Sequence, residues 1–185
     1  SLASPFTNIL FSILVVKLYG TGDWGSFVFY FLYASLASLV LNWGNKDYLL
    51  REISKSPAEI GALWRKSFIS RLGLLLPIAA IFLLSFPNGG ALYLIIWVLL
   101  LFISQSFEVF VTFHRKFMLS FALEIVSSLV MFSSILFLKD RLGFSALIYS
   151  YFLYLSIKAA AYLIYFRKDV FRISVISNGK LIDPA

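Results

Sequence analysis

Long apolar runs, broken by short polar ones, set the pattern of this chain. Predominantly apolar stretches occupy residues 5–19, 24–43, 68–86, 91–113, 117–138 and 144–166. A helix needs about 20 apolar residues to cross a bilayer, so the last five are of membrane length and the first is short. We read it as a truncated span. No basic residue precedes it and no small-residue cleavage site follows it, which argues against a signal peptide. The predicted fold class is all-α, a polytopic transmembrane helix bundle of six spans forming a single domain over residues 1–185.

The breaks between runs carry turn chemistry. Gly20-Thr21-Gly22-Asp23 separates the first two runs, and Trp24 and Trp43 bracket the second as interfacial anchors. Ala34, Ser35, Ala37 and Ser38 supply the small residues that allow close helix contact. Residues 44–66 form the longest polar stretch. Ser56-Pro57-Ala58-Glu59 reads as a helix start, with a cap, a first-turn proline and a carboxylate three residues on. This predicts a surface helix over 56–66 leading into the third span, where Pro77 is expected to introduce a kink. Pro87-Asn88-Gly89-Gly90, His114-Arg115-Lys116 and Lys139–Gly143 are the remaining turns.

Composition agrees with the pattern. The chain is 61% hydrophobic and only 14% charged, too apolar to cover a water-facing surface. A net charge of +7 can signal nucleic-acid binding, but here the basic residues lie between apolar runs and report orientation instead. With the N-terminus cytoplasmic, Lys46, Arg51, Lys55, Arg65, Lys66, Arg71, Arg115, Lys116, Arg167, Lys168, Arg172 and Lys180 fall on one side. Lys17, Lys139 and Arg141 fall on the other. That bias predicts a multi-pass protein of the cytoplasmic membrane with its N-terminus and C-terminal tail inside. The absence of cysteine excludes disulfides and thiolate chemistry, and a single histidine excludes His-rich metal sites, so neither metal nor cofactor is expected.

Three charged residues lie inside apolar runs: Glu108, Glu124 and Lys158. Each would cost about 2.5–3.5 kcal/mol facing lipid, so each should point inward and pair. Counted from the basic helix ends, all three sit roughly 10–14 Å deep at ~1.5 Å per residue, and one shared layer is expected. Two carboxylates around one lysine would leave a surplus negative charge. One reading makes this layer a polar site in a water-filled cavity, with Gln105 beside it. The other makes it a structural pair of Lys158 with one glutamate. Arg71, one turn into its span, reads as a side chain snorkelling to the interface, and His114 reads as a plain loop residue. Tyr149, Tyr151, Tyr154, Tyr162 and Tyr165 exceed what interfacial anchoring requires.

The stretch from Leu18 to Glu52 carries a family resemblance. Lys17 ends the first run just before a leucine, an aromatic residue and Gly20. Trp24-Gly25 follows, then Gly44 after the second run, and Arg51-Glu52 seven residues on. This pattern resembles the polysaccharide flippases, the lipid-linked oligosaccharide (O-antigen type) branch of the multidrug/oligosaccharidyl-lipid/polysaccharide exporter superfamily. The resemblance implies the N-terminal lobe of a two-lobed exporter, partnered by a second lobe or a dimer mate. It also implies translocation of a polyprenyl-pyrophosphate-linked glycan by alternating access, among membrane lipids and with no nucleic acid. By that resemblance Lys17 and Arg51 would bind substrate. The buried charges, taken as a cavity site, add Lys158 to substrate binding and Glu108 and Glu124 to ion coupling, with Gln105 as a cavity candidate that reads more readily as a hydrogen bond between helices. As lone residues, Lys17 reads more readily as an interfacial snorkel and Arg51 as a positive-inside anchor than as substrate ligands. Alternatives are a multidrug or cation-coupled exporter of the same superfamily and a non-catalytic membrane subunit. A membrane enzyme is disfavoured, because the first outer loop offers only Asp23 and His114 has no aspartate at short spacing. The chain begins at Ser1, which fits a processed chain or a piece of a longer one.

Overall fold

A computed structural model describes residues 3–86, 89–171, 176–177 and 180–181. It is a bundle of apolar helices. The elements are α1 (Ala3–Asn42), α2 (Asn45–Lys55), α3 (Ile60–Ser85), α4 (Gly90–Ser106), α5 (Glu108–Phe113), α6 (Phe117–Leu142), α7 (Phe144–Tyr165) and α8 (Arg167–Phe171). Two short antiparallel strands follow, β1 (Ile176–Ser177) and β2 (Lys180–Leu181). The turn at 87–88 and most of the tail beyond 171, with Arg172, lie outside the described residues.

Five helical segments are long and apolar enough to cross a membrane, the first being Thr7–Lys55. That first segment is two passes. Phe11 and Trp24 would lie about 20 Å apart on a straight helix, yet their ring centroids are 5.9 Å apart. The chain reverses at Gly20, whose backbone (φ 87, ψ 175) is non-helical. Such a combination is open essentially to glycine alone. The bundle therefore makes six passes.

Two ends can be told apart. Tyr19 reaches the Ile135 carbonyl, and Tyr30 touches both Phe86 and Phe144, so Gly20, the end of α3 at Phe86 and the Gly143 turn share one end. α2, the 114–116 turn and α8 gather at the other, around Leu49, Ile53, Trp64, Phe110, Phe166 and Val170. Lys46, Arg51, Lys55, Arg65, Lys66, Arg115, Lys116, Arg167 and Lys168 belong to that second end. Lys17, Lys139 and Arg141 flank the turns of the first. The main core lies between, where α4 packs on α1, α3 and α7. Trp97 is fully buried there against Phe27 and Tyr151 at 5.2 and 5.0 Å. Ala34, Ala37 and Ser38 are buried, as the small-residue run of the second span requires.

The polar stretch after the second span folds differently from the sequence expectation of a surface helix over 56–66. The separate helix is α2, residues 45–55, which buries Leu49 and Ile53 one turn apart. Ser56 makes no side-chain cap. Pro57–Glu59 is a single 3₁₀ turn, and α3 then runs from Ile60 to Ser85 with Pro77 inside it. The helical turn starting at Ile60 places Gly61 and Trp64 against neighbours, and that packing overrides the capping signal at Ser56.

Gly61 lets α8 dock. A Cβ built at Gly61 would stand 2.1 Å from the Asp169 carbonyl oxygen, a backbone atom that cannot step aside. Arg65 also donates to the Val170 carbonyl, and His114 Nε2 lies 3.2 Å from Asp169 Oδ2. Gly61→Ala should overpack this contact at a cost of about 1–3 kcal/mol. Limited trypsin digestion should then cut at Arg167 and Lys168 roughly tenfold faster or more. Unchanged cleavage would show that α8 is held without this contact.

Candidate functional site

Glu124 and Lys158 face each other from α6 and α7. Lys158 Nζ donates to Glu124 Oε2 at 2.7 Å, and Tyr154 Oη donates to Glu124 Oε1 at 2.6 Å. Lys158 also reaches Tyr154 Oη at 3.2 Å and lies 5.0 Å from the centre of that ring. Tyr154 and Lys158 are four residues apart, so one face of α7 presents both. Glu124 is 3% exposed. Both its oxygens are satisfied, as a buried carboxylate requires. Glu124 and Lys158 line a cavity of about 370 Å³ that also includes Ser104, Ser120, Tyr162, Glu108 and Lys46.

Glu108 does not join the layer expected around Lys158. It pairs with Lys46 at 3.1 Å, and both side chains are about half exposed. The cause is a break in the fourth span. Ser106 Oγ bonds back to the Phe102 carbonyl, and the Ser106 carbonyl accepts from Trp64 Nε1 at 2.7 Å. The helical ladder is interrupted at Phe107, and α5 restarts with Glu108 at its first residue. The expected surplus of negative charge is therefore replaced by two matched pairs, Glu124–Lys158 and Glu108–Lys46.

Gln105 belongs to a second polar group. Its Oε1 accepts from Ser38 Oγ and from Asn42 Nδ2, each at 2.8 Å. Asn42 Oδ1 in turn accepts from Arg71 Nη1 at 2.6 Å. Arg71 is buried and turned into the bundle, a correction to the snorkelling expectation. Ser67, Asn42 and Ser106 supply acceptors inside that the interface would otherwise provide. Asn42 and Gln105 lie on the walls of two further cavities. One, of about 610 Å³, also has Asn8, Ser35, Tyr151 and Tyr154. The other, of about 200 Å³, also has Lys46 and Glu108. The three cavities share walls, so polar lining continues from Asn8 to the triad and on to the basic end.

Lys17 and Arg51 stand outside this path. Lys17 is exposed, three residues before the Gly20 reversal, and Arg51 is exposed on α2 at the opposite end. Residues 20–42 separate the two ends by about 33 Å of helix rise, so one phosphate cannot touch both. Neither approaches Lys158 as the expected substrate-binding set would require. The tyrosines of α7 divide: Tyr151, Tyr154 and Tyr162 are buried, whereas Tyr149 and Tyr165 are exposed. Sequence reasoning missed Lys46, Asn42 and Ser38 as members of these networks. The i, i+4 spacing of Tyr154 and Lys158 was a signal for the triad. Among the described residues no cluster of His, Asp and Glu is suited to a metal ion.

Comparison with protein-family models, curated proteins and solved structures finds no match to this chain.

Proposed function

We propose that this chain is one lobe of a membrane transporter that carries a lipid-linked, phosphate-bearing glycan across the cytoplasmic membrane by alternating access, with its basic end in the cytoplasm. The observation that carries the reading is the Glu124–Lys158 ion pair on the wall of a cavity, with Tyr154 bonded to both. An ion pair this deep is costly to insert and is easily replaced by apolar side chains when it serves packing alone. Beside a cavity it can exchange partners. A phosphate entering near Lys158 competes with Glu124 for one ammonium group, and Glu124 then has to take up a proton or meet another cation. That exchange would link substrate binding to an ion gradient. Tyr151 and Tyr154 on the adjoining wall offer aromatic faces to sugar rings. The basic end supports the orientation, since positively charged loops stay inside.

The test uses the full-length gene in a strain lacking its own polysaccharide flippase. The paired variant Glu124→Gln with Lys158→Met keeps volume and removes both charges. It should reach the membrane at parental level and fail to restore polysaccharide export, while the parent restores it. Restoration by the paired variant would make the triad structural and favour a non-catalytic packing subunit. A parent that confers drug resistance without restoring export would favour the multidrug branch.

A further inference from the structure

Among the described residues the buried guanidinium of Arg71 has no negative partner. It is 7% exposed, and its three bonded neighbours, Asn42 Oδ1, the Ser67 carbonyl and Ser106 Oγ, are all neutral. The Phe102 ring lies 4.9 Å below it. None of the ion pairs among the described residues includes Arg71. A guanidinium has five N–H donors, and three are accounted for. A buried charge is expected to be matched by an opposite one, and the described residues supply none.

Arg71 lines a cavity of about 450 Å³ between the end of α1, α2 and α3. Lys66, Ser67 and Ser70 line the same cavity from α3. The site thus offers two cations and two hydroxyls at the basic end, where a membrane interface would fall. Trp43, 81% exposed, and Tyr48 stand at its edge as side chains suited to the headgroup layer. Val40 and Leu74 continue its wall as exposed apolar surface. A ligand that fits has an anionic, hydrogen-bond-accepting head and an apolar body.

We propose that this cavity binds the phosphodiester headgroup of an anionic phospholipid, with Arg71 and Lys66 meeting the phosphate and the acyl chains lying along Val40 and Leu74. Basic pockets between membrane helices on the cytoplasmic side recognise acidic lipid headgroups by this chemistry. The site lies between the end of α1, α2 and α3, shares no lining residue with the Glu124–Lys158 cavity, and does not depend on what the protein transports.

The test is native mass spectrometry of the full-length protein taken from bilayers of equal phosphatidylglycerol and phosphatidylethanolamine. Both lipids carry the phosphodiester, but only phosphatidylglycerol has net negative charge. Expected is a retained phosphatidylglycerol with a preference of about tenfold or more. Arg71→Gln should abolish the preference, and Lys66→Gln should reduce it about three- to fivefold. Ser70→Trp, at an exposed position, should block the cavity without touching either cation, which keeps the result readable if Arg71→Gln does not fold. Equal retention of the two lipids, or a preference surviving Ser70→Trp, overturns the proposal. Displacement by millimolar inorganic phosphate would assign the site to a free anion instead. Displacement by undecaprenyl phosphate at equal concentration would assign it to the transported class of lipid. Either outcome also overturns it.

Discussion

Lys158→Met should destabilise the folded chain by about 3–5 kcal/mol, the cost of leaving a buried carboxylate without its cation. Glu124 is the reason. It is 3% exposed, and Lys158 is the only ammonium within ion-pairing distance among the described residues. Tyr154 would still donate to Oε1, but a neutral hydroxyl offsets only part of a full charge. Adding Glu124→Gln to the same chain should restore most of the loss, because an amide can keep the Tyr154 bond without a charge. Thermal unfolding of the detergent-solubilised protein measures both. Equal stability of Lys158→Met and the parent would mean that water or lipid headgroups reach Glu124. The paired variant then separates two questions. It should be stable, and its loss of export would be a matter of chemistry and not of folding.

Gly20→Val should undo the first hairpin. Gly20 sits at φ 87, ψ 175, and a side chain there costs about 1–3 kcal/mol in backbone strain, with a β-branched residue at the upper end. Nothing lies within 4 Å of a Cβ at this position, so crowding plays no part. Asparagine tolerates the left-handed helical region near ψ +47°, but ψ here is far from it, so Gly20→Asn should fail as well. The chain has no cysteine, and this makes a clean readout available. Phe11→Cys and Phe27→Cys replace rings whose centroids are 5.1 Å apart. A short bis-thiol-reactive cross-linker should bridge the two cysteines in the parent background and fail to do so with Gly20→Val. Efficient cross-linking in both would show that helix packing alone can hold the reversal.

The spans were legible because apolar run length maps directly onto bilayer thickness, and the turns because glycine and charge interrupt those runs. The reversal at Gly20 is an example: Gly20-Thr21-Gly22-Asp23 marked it before any contact was known. The pairing of Glu124 with Lys158 was legible in kind, since two buried charges of opposite sign must meet. The partner of Glu108 was not. It is set by Trp64 taking the Ser106 carbonyl, a contact across 42 residues that no local pattern carries. Arg71 was misread for a similar reason. Its acceptors come from α1, α3 and α4 together, and sequence spacing shows only how near it lies to a helix end. In the polar stretch, Leu49 and Ile53 stood at helical spacing before the break at Ser56, but the Ser-Pro-Ala-Glu motif was the stronger local signal and drew the helix start too late.

The interruption at Phe107 also decides where the fourth span can yield. A helix resists bending because each carbonyl is tied to the amide one turn on, and it bends most readily where that tie is missing. At this point the Ser106 carbonyl is held by an indole from another helix, and the Phe107 amide reaches only three residues back, to the Ser104 carbonyl at 3.4 Å. α4 above it is anchored by Trp97 and Phe102 in the main core, whereas α5 below is anchored by Val109, Phe110 and Val111 in the second cluster. The span is therefore two separately held pieces joined at one weakened joint. Any change of angle between the two clusters is taken up at Phe107, with each piece staying in its own packing.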